Sequence, residues 1–255
     1  MLFRIKTYLT YLVKSRDSRV IQSSFIKNFI YQISNKKYNF EYHFHKTFRT
    51  ELLKDNSIIE VSDFGAGSQV FKNNLRPINL IAKNAGINTK NAKLLINISR
   101  LLAPKTTLEI GTSVGLATAA LHIGNPQSNI TTLEGCPNTL KVATDLFKQF
   151  SFKNIVPISG EFKDTLKNID SIFDLIYFDG NHQEKATLEY FEHCLKLKNN
   201  NSIFIFDDIH WSQGMENAWK TIKNNKEVTT TIDTFQWGLV FFRKELQKEH
   251  YVLKV

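Results

Sequence analysis

Between residues 106 and 244 short apolar runs alternate with amphipathic stretches, and this alternation restricts the fold more than any other feature of the chain. TTLEIG, NITTLE, NIVPIS, FDLIYFD and SIFIFD read as strands. VGLATAALHI, NTLKVATDLFKQF, FKDTLKNI, EKATLEYFEHCLKL and MENAWKTIKNN read as the helices that follow them. Strands this continuously apolar need cover on both faces, so the pattern predicts a parallel α/β sheet with helices on each side. EVTTTIDTF and GLVFFRK, joined by a short link, predict a closing antiparallel hairpin. Upstream, residues 89–102 carry an apolar stripe (Ala92, Leu95, Ile96, Ile98, Leu102) stopped by Pro104, which predicts one more helix.

The N-terminal region differs in charge. Residues 1–50 hold ten Lys and Arg against two acids, a balance of +8 in a chain of +9, so the remaining 205 residues sum to about neutral. Residues 3–13 and 20–33 place Phe3, Tyr8, Leu9 and Leu12, then Ile21, Phe25, Phe29 and Ile30, at helical spacing with bases between them. These segments are expected to cap the main domain, or to pack across a homodimer, with a solvated basic face. An anionic membrane surface is the alternative partner. The near-neutral main body argues against nucleic acid, which needs a broad basic face. VSDFGAGS, residues 61–68, reads as a shaped loop that either covers a ligand or simply turns. The division expected is a basic helical extension with a glycine-containing loop over 1–84 and an α/β domain over 85–255.

Hydrophobic residues make up 42% of the chain, enough for a large core and against disorder. Cys136 and Cys194 offer neither a disulfide framework nor a ligand pair. MLFRIKTYLTYLVKSR is too interrupted by charge for a signal peptide, and no later stretch approaches the roughly 18 apolar residues of a membrane span. A cytoplasmic location is the expectation.

In open α/β sheets ligands sit beyond the carboxyl ends of the strands. TLEIGTSVG is the first strand with its turn: Glu109 closes the strand, Gly111 and Gly115 allow close backbone approach, and Thr112 and Ser113 fill the turn. No G-K-[ST] follows, and the glycine spacing departs from G-x-G-x-x-G, so phosphate-loop and dinucleotide readings fit poorly. A Tyr-x-x-x-Lys pair is also missing near the site, against a nicotinamide-dependent reductase. An acid beside the glycines suits a ligand carrying an α-amino group. Glu134, followed by Gly135, ends the second strand 23 residues after Gly111 and is placed to accept hydrogen bonds from ribose hydroxyls. Gly160, Glu161 and Phe162 follow the third strand, where an adenine would find an opening and an apolar wall.

The sequence E-I-G-T-S-V-G, an acid closing the next strand and a terminal hairpin resemble the class I methyltransferases that use S-adenosylmethionine. The resemblance covers about residues 85–245. It implies a Rossmann-like, seven-stranded, mostly parallel sheet with its last strand antiparallel. Ser113 stands where that family usually has its middle glycine, as in the small-molecule O-methyltransferase branch.

Asp179 ends the fourth strand, and Asp207 and Asp208 end the fifth. Three carboxylates on one rim repel one another, and a hard divalent cation such as Mg²⁺ would relieve this. His182, three residues beyond Asp179, is the candidate base for a hydroxyl acceptor. Asp179 can instead border the cofactor. His210 and Trp211 are placed to border the acceptor, with His210 as a second candidate base or ligand. The arrangement resembles metal-dependent O-methyltransferases of the macrolide-sugar type more than the catechol type. By that resemblance Asp179, Asp207 and Asp208 hold the metal and His182 is the base, acting on a small-molecule hydroxyl. His43, His45, His122, His193 and His250 show no metal spacing and read as structural.

Overall fold

The structure is a computed structural model that describes residues 2–35, 39–62, 64–65 and 73–254. Three helices lead the chain: α1 (Leu2–Lys14), α2 (Ser24–Asn35) and α3 (Asn39–Lys54). A small antiparallel pair, β1 (Ile58–Glu60) and β2 (Leu75–Pro77), precedes α4 (Ile78–Asn84) and α5 (Thr89–Leu102). The alternating region follows as β3 (Thr106–Ile110), α6 (Leu116–Gly124), β4 (Asn129–Glu134), α7 (Pro137–Gln149) and β5 (Ile155–Ser159). It continues as α8 (Phe162–Thr165), β6 (Phe173–Phe178), α9 (Glu184–Cys194), β7 (Lys198–Asp207) and α10 (Gln213–Asn224). The strands β8 (Thr230–Asp233), β9 (Trp237–Phe241) and β10 (Glu249–Val252) end it.

Among the described residues the main sheet has eight strands in the order β10-β8-β9-β7-β6-β3-β4-β5. Only β9 runs antiparallel to its neighbours, β7 and β8. The seven-stranded expectation therefore falls one strand short. β10 adds to β8 in parallel from KEHYVLKV, a segment too short and too charged to stand out as a strand. Its edge is tied down by the N-terminal segment, where the Tyr11 hydroxyl donates to the Leu253 carbonyl at 2.6 Å and Arg16 N donates to Val252 O at 2.8 Å.

Alternating side chains divide the core into two layers. Leu175 and Tyr177 of β6 and Ile203 and Ile205 of β7 join one cluster, while Ile176, Phe178, Phe204 and Phe206 join the other. The second cluster is roofed by α9 and α10 through Phe191, Trp219 and Ile222. The first is roofed by α5, α6 and α7 together with the N-terminal helices, through Ile26, Phe29, Ile33, Phe48 and Leu52. α2 and α3 thus share one core with the sheet.

α5 spans the expected residues. Asn88 caps it by accepting from Asn91 N at 2.9 Å, and Ala103, left-handed at φ 43°, ends it before Pro104. α3 was not anticipated, because its inward stripe runs through His45 before Phe48 and Leu52 and so breaks the apolar period. Burial lowers the His45 pKa, and its Nε2 lies 2.9 Å from the Leu116 carbonyl. Of the VSDFGAGS loop, residues 63 and 66–68 lie outside the described residues.

The chain runs outward from β3 to β4 and β5, then returns to β6 on the other side of β3. This reversal leaves a crevice beyond the carboxyl ends of β3 and β6. In register, Ile110 faces Phe178 and Phe178 faces Phe206. The residues that follow these three, Gly111, Asp179 and Asp207, are thereby brought together.

Candidate active site

A cleft of about 720 Å³ opens at this reversal, a size suited to a small-molecule site. Of the residues expected at the cofactor, Gly111, Ser113, Glu134, Gly135 and Phe162 line it. Asp179, His182, Asp207 and Asp208 line the same cleft. Glu109, Thr112, Gly115, Gly160 and Glu161 are not among its lining residues.

Each of these has a place elsewhere. Glu109 is fully buried under the floor, where its Oε2 accepts from the hydroxyls of Thr118 at 2.5 Å and Thr132 at 2.6 Å. Its Oε1 has no partner among the described residues, and burial lifts its pKa to about 7. The Thr112 hydroxyl bonds to Thr132 at 2.5 Å. Gly115 has φ 85°, and a Cβ there would meet the Phe147 ring at 2.7 Å, so helix packing accounts for it. Glu161 precedes α8, and a Cβ on Gly160 would meet Thr165. Gly111 lines the cleft, but its φ of 109° and its 2.3 Å approach from a virtual Cβ to the Asp179 carbonyl show that β3 and β6 need it bare.

Glu134 is held from the backbone. Ser113 N donates to its Oε2 at 2.7 Å and Cys136 N to its Oε1 at 2.9 Å. Burial raises its pKa, and these donors oppose the rise. A carboxylate fixed in this way is presented to the cleft for hydroxyl groups. Phe64 packs its ring over Gly135, and its carbonyl accepts from Asn181 Nδ2 at 3.3 Å. The described part of the glycine-containing loop therefore reaches from the Glu134 end of the cleft to the Asp179 end.

The acid cluster has an arrangement that the sequence did not reveal. The Tyr177 hydroxyl, buried between them, lies 3.3 Å from Asp179 Oδ2 and 3.2 Å from Asp207 Oδ2. Gln236, at the β8–β9 turn, donates from Nε2 to Oδ1 of Asp207 at 2.9 Å and of Asp208 at 2.6 Å. Asp207 Oδ1 also accepts from Asp208 N at 2.7 Å. The oxygens face amide and phenol donors, and among the described residues no group of three or more His, Cys, Asp or Glu is placed to hold a metal ion. The Mg²⁺ site expected at Asp179, Asp207 and Asp208 is thus not built in this arrangement. Tyr177 could have been suspected as the one polar head in LIYF. Gln236 could not, because the pairing of Asp207 with Trp237 is a register fact.

Electrostatic strain is concentrated here. Burial, then the charges of Asp207 and Asp208, hold the Asp179 carboxyl well above the usual range. Burial and Asp207 lift Asp208 to about 6, while His182, Gln236 and Arg4 pull it down. Burial and the two acids push the Tyr177 phenol far up, so it stays protonated as a donor.

His182 Nε2 lies 3.7 Å from Asp179 Oδ1, just beyond a direct hydrogen bond. Asn181 and His182 have φ of 72° and 47°, and Ser113, Asp208 and Phe235 are also left-handed at 49°, 54° and 72°. Five non-glycine residues in this conformation at or beside one cleft mark a backbone held for geometry at the expense of ease. His210 turns away: its Nε2 lies 2.9 Å from Asp233 Oδ2 and its ring stacks on Phe235, so it is a packing residue. Trp211 lines the cleft with the Arg4 guanidinium 4.4 Å above its ring, so α1 supplies part of one wall.

Residues 108–209 match the family model described as a methyltransferase domain. No curated protein matches the chain at a significant level. Solved structures do. An S-adenosylhomocysteine-bound methyltransferase from Podospora anserina, PaMTH1, is 17% identical with a TM-score of 0.62, over 84% of this chain and 93% of that one. The O-methyltransferase TomG from Streptomyces achromogenes, involved in tomaymycin synthesis and solved with S-adenosylmethionine, is 20% identical with a TM-score of 0.57. That match covers 63% of this chain and 82% of TomG. An O-methyltransferase from Bacillus cereus with S-adenosylhomocysteine is 20% identical with a TM-score of 0.54, over 61% and 81%. At such identities the likeness speaks for the fold. Residues 108–209 match a methyltransferase domain, and the chain shares its fold with these S-adenosylmethionine- and S-adenosylhomocysteine-bound methyltransferases.

Proposed function

We propose that the chain transfers a methyl group from S-adenosylmethionine to a hydroxyl oxygen of a small-molecule acceptor, with His182 as the base. The observation that carries this reading is one imidazole in the same cleft as the anchored Glu134 carboxylate, 3.7 Å from the Asp179 carboxyl. When bound, S-adenosylmethionine supplies an electrophilic methyl on a positively charged sulfur. Glu134 accepts from the ribose hydroxyls, Phe162 walls the adenine, and the cleft aligns acceptor and donor. His182 would take the proton of the acceptor hydroxyl as its oxygen accepts the methyl group from the sulfonium, with neutral S-adenosylhomocysteine as the other product. Asp179 faces the imidazolium so formed. Arg4 and Trp211 offer a planar, cationic wall for the acceptor.

The test is His182→Ala. Turnover should fall by about 10²–10⁴-fold while S-adenosylhomocysteine still binds in a calorimeter with near wild-type affinity. Unchanged turnover with the acceptor would overturn the base assignment, and failure of the wild type to bind S-adenosylhomocysteine would overturn the cofactor.

A second reading rests on the raised pKa values of Asp179 and Asp208. A divalent cation would relieve that repulsion, with Asp179, Asp207 and Asp208 as its oxygen ligands, if Gln236 released its two acids. Activity that disappears in a chelator and returns with Mg²⁺ favours this reading. Activity indifferent to chelation favours the metal-free cleft.

A further inference from the structure

We propose that α1 docks this protein onto the surface of an anionic phospholipid bilayer. The helix has two faces. Inward, Thr7, Tyr11 and Ser15 are buried, Tyr8 and Tyr11 pack on Phe235, and Tyr11 is bonded to the last strand. Outward, where a water-facing helix should be polar, it presents Ile5, Leu9, Leu12 and Val13, with Leu9 57% and Val13 75% exposed. These positions share the side opposite Thr7 and Tyr11 at helical spacing. Lys6 and Lys14 are exposed on the same helix, and exposed Arg16 and Arg19 follow it, Arg19 being paired with Asp17 at 3.2 Å.

Scattered apolar side chains on a surface need no explanation, but a continuous aliphatic stripe along a helix rimmed by bases does. Charge selects the occupant. A second copy would bring the same concentration of positive charge, +8 over residues 1–50, against itself. A nucleic acid would use the bases and leave the aliphatic stripe in water. An anionic bilayer satisfies both parts, burying aliphatics below the headgroups while Lys and Arg meet the phosphates. The inward face is already anchored to Phe235 and Leu253, so α1 need not leave the protein to bind. Arg4 on this helix lines the cleft, so docking sets one wall of the cleft within about one helix diameter, roughly 10 Å, of the membrane.

The experiment is flotation of the full chain with phosphatidylcholine vesicles and with vesicles containing about one-third phosphatidylglycerol. The wild type should float with the anionic vesicles and be released as salt rises. Leu9→Asp/Val13→Asp should cut the bound fraction about tenfold or more, and Lys6→Glu/Lys14→Glu should do likewise. Both variants change exposed positions, so melting temperature and S-adenosylhomocysteine binding should match the wild type. Retained cofactor binding separates failure of this proposal from failure of the methyltransferase reading. A wild type that stays in solution at low salt overturns the proposal, as does a Leu9→Asp/Val13→Asp variant that floats unchanged. Light scattering that finds a wild-type dimer and a monomeric Leu9→Asp/Val13→Asp variant also overturns it, assigning the stripe to self-association instead.

Discussion

Glu109 and Glu134 end adjacent strands as acids, and their surroundings give them opposite tasks. Glu134 faces the cleft with two backbone donors, so removing its carboxylate removes charge-assisted hydrogen bonds to a ligand. Such bonds contribute about 1.5–3 kcal/mol. Glu134→Ala should therefore weaken S-adenosylhomocysteine by roughly 10- to 150-fold in a calorimetric titration, and unchanged affinity would remove Glu134 from the ribose. Glu109 sits below, with a pKa of about 7 against an ordinary 4.5. The folded state therefore holds this proton more tightly than the unfolded chain does. Its contribution to stability is full below about pH 4.5, falls as pH rises to about 7, and is level beyond. At 1.36 kcal/mol per pH unit the loss is about 3 kcal/mol. Glu109→Gln, which cannot ionise, should flatten this slope, so that its melting temperature relative to wild type rises between pH 5 and 8. Parallel melting curves across that range would show that Glu109 does not carry the dependence.

At the scale of elements, the hairpin of β8 and β9 matters beyond closing the sheet, because its turn delivers Gln236 to Asp207 and Asp208. Gly238 lets β9 pass under Trp219: a Cβ there would lie 2.6 Å from the ring, which is itself buried in the second core cluster. Gly238→Ala should cost about 1–3 kcal/mol by overpacking, a fall of roughly 2–12 °C in melting temperature. An unchanged melt would mean that Trp219 yields freely. The same hairpin marks the limit of what was readable in the sequence. β3 to β9 and α5 to α10 stand close to where period and punctuation put them, since each has a strong apolar pattern of its own. β10, β1, β2, α3 and α4 do not: β10 is a strand only because β8 offers an edge, and α3 hides its stripe behind a buried histidine. Gly111, Ser113, Glu134, Asp179, His182, Asp207 and Asp208 were legible because polar residues at the tips of apolar strands have few structural reasons to be there. Tyr177 and Gln236 were not, since one lies inside a strand and the other depends on register between distant segments.

For the whole molecule, the question is whether the N-terminal helices are an attachment or part of the folded unit. Charge set them apart in the sequence, and α1 does keep a basic outer rim. Packing joins them: Ile26, Phe29, Ile30, Ile33, Phe48 and Leu52 are all buried in the cluster that includes Leu175, Ile203 and Leu239 of the sheet. Burying each such side chain contributes about 1.5–3 kcal/mol, so the six together account for about 9–18 kcal/mol as an upper bound. A whole domain retains only about 5–15 kcal/mol of net stability. Deleting residues 1–57 should therefore abolish cooperative folding, giving a product without a sigmoidal thermal transition by circular dichroism and without S-adenosylhomocysteine binding. A truncated chain that melts cooperatively and still binds would show that α5, α6 and α7 close this face of the sheet on their own. Deleting only residues 1–14 leaves α2 and α3 in place and removes α1, with its outer stripe and the Tyr11 anchor on β10. Such a chain should still fold, melt somewhat earlier, and retain the cofactor, because the backbone donors that fix Glu134, Ser113 N and Cys136 N, lie outside α1.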